Sequence, residues 1–145
     1  MSSTDSAVFG GGNFNRRLLW VGPMAMGLAV SANLAVFTIV REVFSVQFIK
    51  PLRPEAPPVP LPISMVIMAS AIPAIGATLS YGILHKFVPR SIVVFRFAAA
   101  AFFLLSIAGP FNLPVDISTK LALALMHLVA GLTIVGVLTM LAPER

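Results

Sequence analysis

The sequence predicts an all-α membrane protein in which four transmembrane helices pack as an antiparallel bundle with both termini on the cytoplasmic side. Three observations carry this reading. Four apolar runs, at about 18–40, 61–84, 92–108 and 120–141, approach or exceed the roughly 20 residues that a helix needs to cross a hydrocarbon core about 30 Å thick. Hydrophobic residues make up 58% of the chain and charged residues only 10%, with a mean hydropathy of +0.97, which no water-soluble core of this size could hide. Finally, the basic residues behind the net charge of +5 flank the apolar runs, a placement that suits lipid headgroups and argues against a nucleic-acid partner. The four spans leave room for one transmembrane domain, 18–145, and an N-terminal tail, 1–17. With no cysteine in the chain, disulfides and thiolate metal sites are excluded.

Taken in order, the tail carries Ser, Thr, Asn and the run Gly10, Gly11, Gly12 without periodicity, a composition expected to lack regular structure. Arg16 and Arg17 then precede the first run. That run is longer than the roughly 7 to 15 residues of a signal-peptide core, so a retained first helix is expected instead of a cleaved leader. The connection 41–60 contains Pro51, Pro54, Pro57, Pro58 and Pro60, which exclude a helix and predict an extended external strap. Val43, Phe44, Val46, Phe48 and Ile49 place its first part in the interface. Helix two holds Pro73 near its middle, with Ala69, Gly76 and Ser80 on the same face. Small residues at that spacing predict a surface buried against a neighbouring helix.

Helix three is the weakest span. Arg96 lies one turn inside it, and Gly109 and Pro110 are expected to end it at Ala108. Arg96 can snorkel to the cytoplasmic headgroups, and with Lys86 and Arg90 it forms a candidate set of headgroup or anion contacts. Asp116, Ser118 and Thr119 are the expected capping side chains of helix four. The orientation follows from charge: Arg16, Arg17, Lys86, Arg90, Arg96 and Arg145 fall on one side, against Arg41, Lys50, Arg53 and Lys120 on the other. The excess marks the first side as cytoplasmic.

Among polar residues inside the spans, Asn33 and His127 cost most to bury. Each sits seven residues from the outer end of its run, about 10 Å deep at a rise of 1.5 Å per residue. Ala124 and Gly131 share the face of His127, which suits an inward position. Asn33 and His127 are therefore expected to meet, with Ser106 and either Ser64 or Ser70 completing a polar cluster in the outer half. The plain reading of this cluster is a hydrogen-bonded clamp between helices. Imidazole also titrates near neutrality and ligates metals, so a proton relay or a haem shared between two subunits is a sharper alternative for His127. A protein-held metal site is not expected, since the only other histidine, His85, lies at the inner end of helix two. No span contains Asp or Glu, which disfavours proton-coupled export.

The order Ala32-Asn33-Leu34, Arg41, Pro73, Ser106 with Pro110, and Leu123-Ala124-Leu125-Met126-His127-Leu128 resembles a bacterial family of small four-helix integral membrane proteins of unknown function. The resemblance covers most of the chain from about Leu18 onward. It implies a four-span fold in the bacterial inner membrane and supplies no mechanism. With no nucleophile, phosphate-loop or metal signature, the chain is not expected to be an enzyme or to carry a cofactor. The leading expectation is a structural or accessory protein, partnered by the bilayer and by other membrane subunits or a second copy. The alternative is a binding or transport protein for a small solute, lipid or ion with a pocket in the outer half, and the next is a haem-binding electron carrier using His127.

Overall fold

A computed structural model describes residues 16–50 and 59–142. The expectations for the tail before Arg16, for Pro51, Arg53, Pro54, Pro57 and Pro58 in the strap and for Arg145 fall outside these residues. Four helices make up almost all of the rest: α1 Leu18–Glu42, α2 Ile63–Phe87, α3 Ser91–Phe111 and α4 Ile117–Leu141. They contain 25, 25, 21 and 25 residues, so at 1.5 Å per residue each is about 31 to 38 Å long. All four are long and apolar enough to cross a membrane. Between α1 and α2, the strands β1 Ile49–Lys50 and β2 Val59–Pro60 pair antiparallel, with Ile49 opposite Pro60 and Lys50 opposite Val59. The N–H of Leu61 extends this ladder by donating to the Phe48 carbonyl at 2.7 Å. The two ends of the strap are thereby clipped together above the bundle.

Each helix runs past its apolar core, because the amide ladder does not stop where hydropathy falls. α1 continues through Arg41 and Glu42, and α3 passes through Gly109 and Pro110 to Phe111. Pro110 removes only the bond that its own N–H would have made. The chain closes behind it with the Asn112 N–H on the carbonyls of Ala108 and Gly109 at 3.2 and 3.1 Å. At the start of α4, Asp116 occupies the N-cap position but its side chain caps nothing. Asp116 and Ser118 are exposed, where interfacial water can satisfy the first amides, while the Thr119 hydroxyl donates instead to the Gln47 carbonyl at 3.3 Å. The expected capping role is thus replaced by a tie between α4 and the strap.

α1 packs extensively on both α2 and α4, while α3 leans on α4 and more lightly on α2. Two apolar clusters hold these contacts. One joins Leu18, Val21, Ala25 and Ala29 at the start of α1 to Tyr81 near the end of α2, Phe95 of α3, and Ile134 and Leu138 of α4. The other joins Phe37, Phe48, Val66, Ala122 and Met126. Buried positions recur on α1 at Ala25, Ala29, Asn33 and Phe37, and on α4 at Ala122, Met126, Ala130, Ile134 and Leu138, the four-residue spacing of one helical ridge. Many larger side chains, among them Phe97, Leu105 and Leu132, point outward. In a bilayer this costs nothing, because lipid tails are as apolar as the side chains, and helix contact rests on close approach of small residues.

The small-residue face expected to bury α2 is on the wrong side. Ala69, Pro73, Gly76 and Ser80 are exposed, whereas Val66, Ser70, Ala74 and Tyr81 form the buried face. Both faces offer small residues at helical spacing, so size alone does not choose between them. Ser70 and Tyr81 do, because inside the bundle the Ser70 hydroxyl oxygen accepts from Asn33 of α1 and the Tyr81 hydroxyl donates to the Ala142 carbonyl.

Candidate functional site

The site lies at the strap end of the bundle, where the second cluster leaves a cavity of about 470 Å³. Its walls come from Val66 and Ala69 of α2, Gly109 and Pro110 of α3, Met126 of α4, and Phe48 and Leu61 at the two ends of the strap. Asn33, Thr119 and His127 bring the polar groups. This size and a mostly apolar lining with a few polar groups are typical of sites for small organic ligands.

Asn33 is placed by the buried ridge of α1 and is only 4% exposed. Its Nδ2 donates to the Ser70 hydroxyl oxygen at 2.8 Å, and Ser70 in turn donates to the Val66 carbonyl at 2.9 Å. Since the Ser70 proton is spent on Val66, its oxygen must accept from Asn33, which fixes the amide orientation. Asn33 Oδ1 is therefore turned away from Ser70, and it is buried without a hydrogen-bond partner. A bare acceptor of this kind costs about 1–3 kcal/mol.

His127 is half-buried on the same cavity wall. Its Nδ1 lies 2.8 Å from the Leu123 carbonyl of its own helix. A carbonyl can only accept, so Nδ1 carries the proton and Nε2 is the free ring position. The structure therefore brings Asn33 and His127 to one cavity without a direct hydrogen bond between them, and the bond that crosses between helices is Asn33 to Ser70. Ser106 does not line this cavity. Its hydroxyl turns back to the Phe103 carbonyl at 2.8 Å, the local bond a serine makes when no other helix supplies an acceptor.

A second cavity of about 550 Å³ lies outside the first, between Arg41, Glu42, Ser45 and Gln47 and the strap ends. Arg41 and Glu42 form an exposed ion pair at 3.4 Å, and Ser45 holds a left-handed backbone at φ 52°. Phe48 and Leu61 line both cavities. The Phe48 ring packs on Phe37 with centroids 4.7 Å apart, so these side chains form the partition between the polar outer space and the apolar inner one. Sequence reasoning placed Phe48 in the interface. Its periodicity could not reveal that the strap folds back so that Phe48 caps a cavity.

At the other end of the bundle, Arg96 Nη2 donates to the Thr139 hydroxyl at 3.1 Å, tying α3 to α4. Lys86 Nζ sits 5.2 Å from the Phe87 ring centroid, and Arg90 takes a left-handed backbone at φ 58° just before α3. These three share an end with Arg16 and Arg17. His85 is also there, 6.1 Å ring to ring from Tyr81, in the opposite half from His127. Among the described residues no three His, Asp or Glu side chains come together as a metal site would require.

No curated protein and no solved structure matches the chain. A family model does, over residues 14–143, which takes in all four helices and every side chain of the cavity. This multi-pass membrane protein thus belongs to DUF6069, a family of unknown function.

Proposed function

We propose that the protein is a non-enzymatic, cofactor-free binding protein of the bacterial inner membrane that holds a small, largely apolar molecule in the outer half of an antiparallel four-helix bundle. The observation that carries this is the 470 Å³ cavity reaching Asn33 and His127, with a buried acceptor on Asn33 that nothing in the chain satisfies. The bond to Ser70 accounts for the amide nitrogen of Asn33, and the buried oxygen is the half of the amide that this interhelical clamp leaves over. The antiparallel arrangement is supported by the short links, three residues at 88–90 between α2 and α3 and five at 112–116 between α3 and α4. Cytoplasmic termini are supported by the basic residues Arg16, Arg17, Lys86, Arg90 and Arg96 at one end against Arg41, Lys50 and Lys120 at the other.

The test is native mass spectrometry of the protein released from mild detergent, with an absorption spectrum of the same sample. One small apolar molecule per chain is expected, and it is expected to be lost in a His127→Leu, Asn33→Leu double variant. A protein that emerges empty and stays empty when offered membrane lipid extract overturns the reading, as does a Soret band. The chain has no native cysteine, so single cysteines at Arg90 and Ser45 test the orientation. Arg90 is expected to resist an impermeant maleimide from outside while Ser45 reacts.

An accessory role within a larger complex has one observation in its favour, the exposed face Ala69, Pro73, Gly76 and Ser80 of α2, which would admit a close helix from another subunit.

A further inference from the structure

We infer that Arg96 is the headgroup site of one anionic phospholipid, bound on the lipid-facing surface where α3 meets α4, at the end away from the strap. This site is separate from the cavity and does not rest on what the cavity holds. α3 has 21 residues, about 31 Å at 1.5 Å per residue, which only just spans a hydrocarbon core about 30 Å thick. The helix therefore has no slack, and tilting it only shortens its reach. Arg96, five residues after Ser91, stands about 7 to 8 Å inside the core. Its helix face is open to lipid: Val93 and Ala100, three residues before it and four after, are exposed, as is Arg96 itself.

A guanidinium at that depth needs a counter-charge, and the described residues offer none. Their only carboxylates, Glu42 and Asp116, are at the strap end. Among the described residues Arg96 makes one polar contact, from Nη2 to the Thr139 hydroxyl oxygen at 3.1 Å. That oxygen is an acceptor because the Thr139 proton goes to the Val135 carbonyl at 2.8 Å. Thr139 is only 6% exposed, so it holds one edge of a long side chain against α4 and leaves the other donors of the fork for a partner outside the protein. A phosphodiester fits that fork with two parallel bonds. It is also the anion that a bilayer supplies just above this level, and Arg96 extends toward it along its own apolar stem. A net negative headgroup is favoured over a zwitterionic one, since the ammonium of the latter competes for its own phosphate and is repelled by Lys86 and Arg90 at the same end.

In the experiment, full-length protein in mild detergent is equilibrated with equal amounts of phosphatidylglycerol and phosphatidylcholine. It is then washed in about 1 M sodium chloride, where exposed charges are screened beyond about 3 Å, and the retained lipid is quantified by mass spectrometry. One phosphatidylglycerol per chain is expected, retained about tenfold over phosphatidylcholine. Arg96→Gln removes the charge but keeps a donor for Thr139. Its preference should vanish while the near-ultraviolet circular dichroism of the buried Tyr81 persists, which shows that the bundle remains folded. Thr139→Val keeps the charge and frees the guanidinium, so a fall of about threefold is expected; an unchanged ratio overturns the positioning role of Thr139. Equal retention of the two lipids by the native protein overturns the site. So does a loss in Arg90→Gln or Lys86→Gln as large as in Arg96→Gln, which would mark diffuse surface charge. Sodium phosphate replacing chloride at equal ionic strength is expected to displace nothing; if it strips the phosphatidylglycerol, the site takes free phosphate and the lipid assignment fails.

Discussion

Gly22→Ala and Gly76→Ala, the same substitution on two helices of the bundle, are expected to have opposite effects. Gly22 lies on the buried ridge of α1, and a Cβ added there would stand 2.6 Å from Thr78 Cγ2, 3.2 Å from its Oγ1 and 3.4 Å from its Cβ. Carbon atoms in contact normally settle at about 3.5–4.0 Å, so roughly 1 Å must be found. Thr78 cannot easily supply it. Its side chain is β-branched, and its hydroxyl is held by the Ala74 carbonyl at 2.8 Å. Either α1 and α2 separate or Thr78 abandons that bond, and overpacking of this kind costs about 1–3 kcal/mol. The better helix propensity of alanine returns about 0.5–1 kcal/mol, leaving a net loss of up to roughly 2.5 kcal/mol. At Gly76 an added Cβ meets nothing within 4 Å, so only the propensity gain of about 0.5–1 kcal/mol remains. Thr78→Ser deletes the offending methyl and keeps the hydroxyl, so G22A should be largely rescued in that background.

The assay is reversible unfolding from mixed micelles into SDS, followed by near-ultraviolet circular dichroism of the single tyrosine and tryptophan, Tyr81 being fully buried. If G22A proves as stable as the native protein while G76A is damaging, α2 is turned with its Ala69, Pro73, Gly76 and Ser80 face inward, and the packing described above is refuted.

Three other outcomes are expected. Tyr81→Phe keeps the edge-on contact with Phe95, centroids 5.1 Å apart, but loses the bond to Ala142; a decrease of about 0.5–1.5 kcal/mol in the same assay is expected, and no change would mean that the bond is replaced by water. A double-mutant cycle with Asn33→Leu and Ser70→Ala should return a coupling near 0.6 kcal/mol and no more than about 1.7, the range for interhelical hydrogen bonds in bilayers; zero coupling would remove the clamp. Phe48→Ala should open the partition between the two cavities, so that a single cysteine at Met65 reacts with a water-soluble maleimide faster than in the parent, whereas an unchanged rate would show that Leu61 alone closes it.

The four spans were legible because a bilayer imposes its own arithmetic: an unbroken apolar run near 20 residues has few other places to go. The grouping of Asn33 with His127 was partly legible too, since depth can be read by counting residues from a helix end. Ser106 shows where counting stops. Depth says nothing of azimuth, and a serine that can bond to its own helix has no need to face a partner. The same gap explains the misplaced face of α2, and the strap's Phe48 could not be assigned to the cavity before its two ends were seen to pair.

The sequence by itself determined that this chain has four helices apolar enough to cross a membrane, roughly where each lies, and that Asn33 and His127 are the costliest polar residues within them, with no acidic residue in any apolar run. Those properties follow from transfer energies that act on each residue separately. Only the tertiary structure decided which face of each helix is inside, that Ser70 and not Ser106 partners Asn33, and that Asn33 and His127 line one largely apolar cavity. In lipid the hydrophobic effect does not distinguish the inside of a bundle from its outside, so that choice falls to steric fit and hydrogen bonding between helices, which exist only once the helices have met.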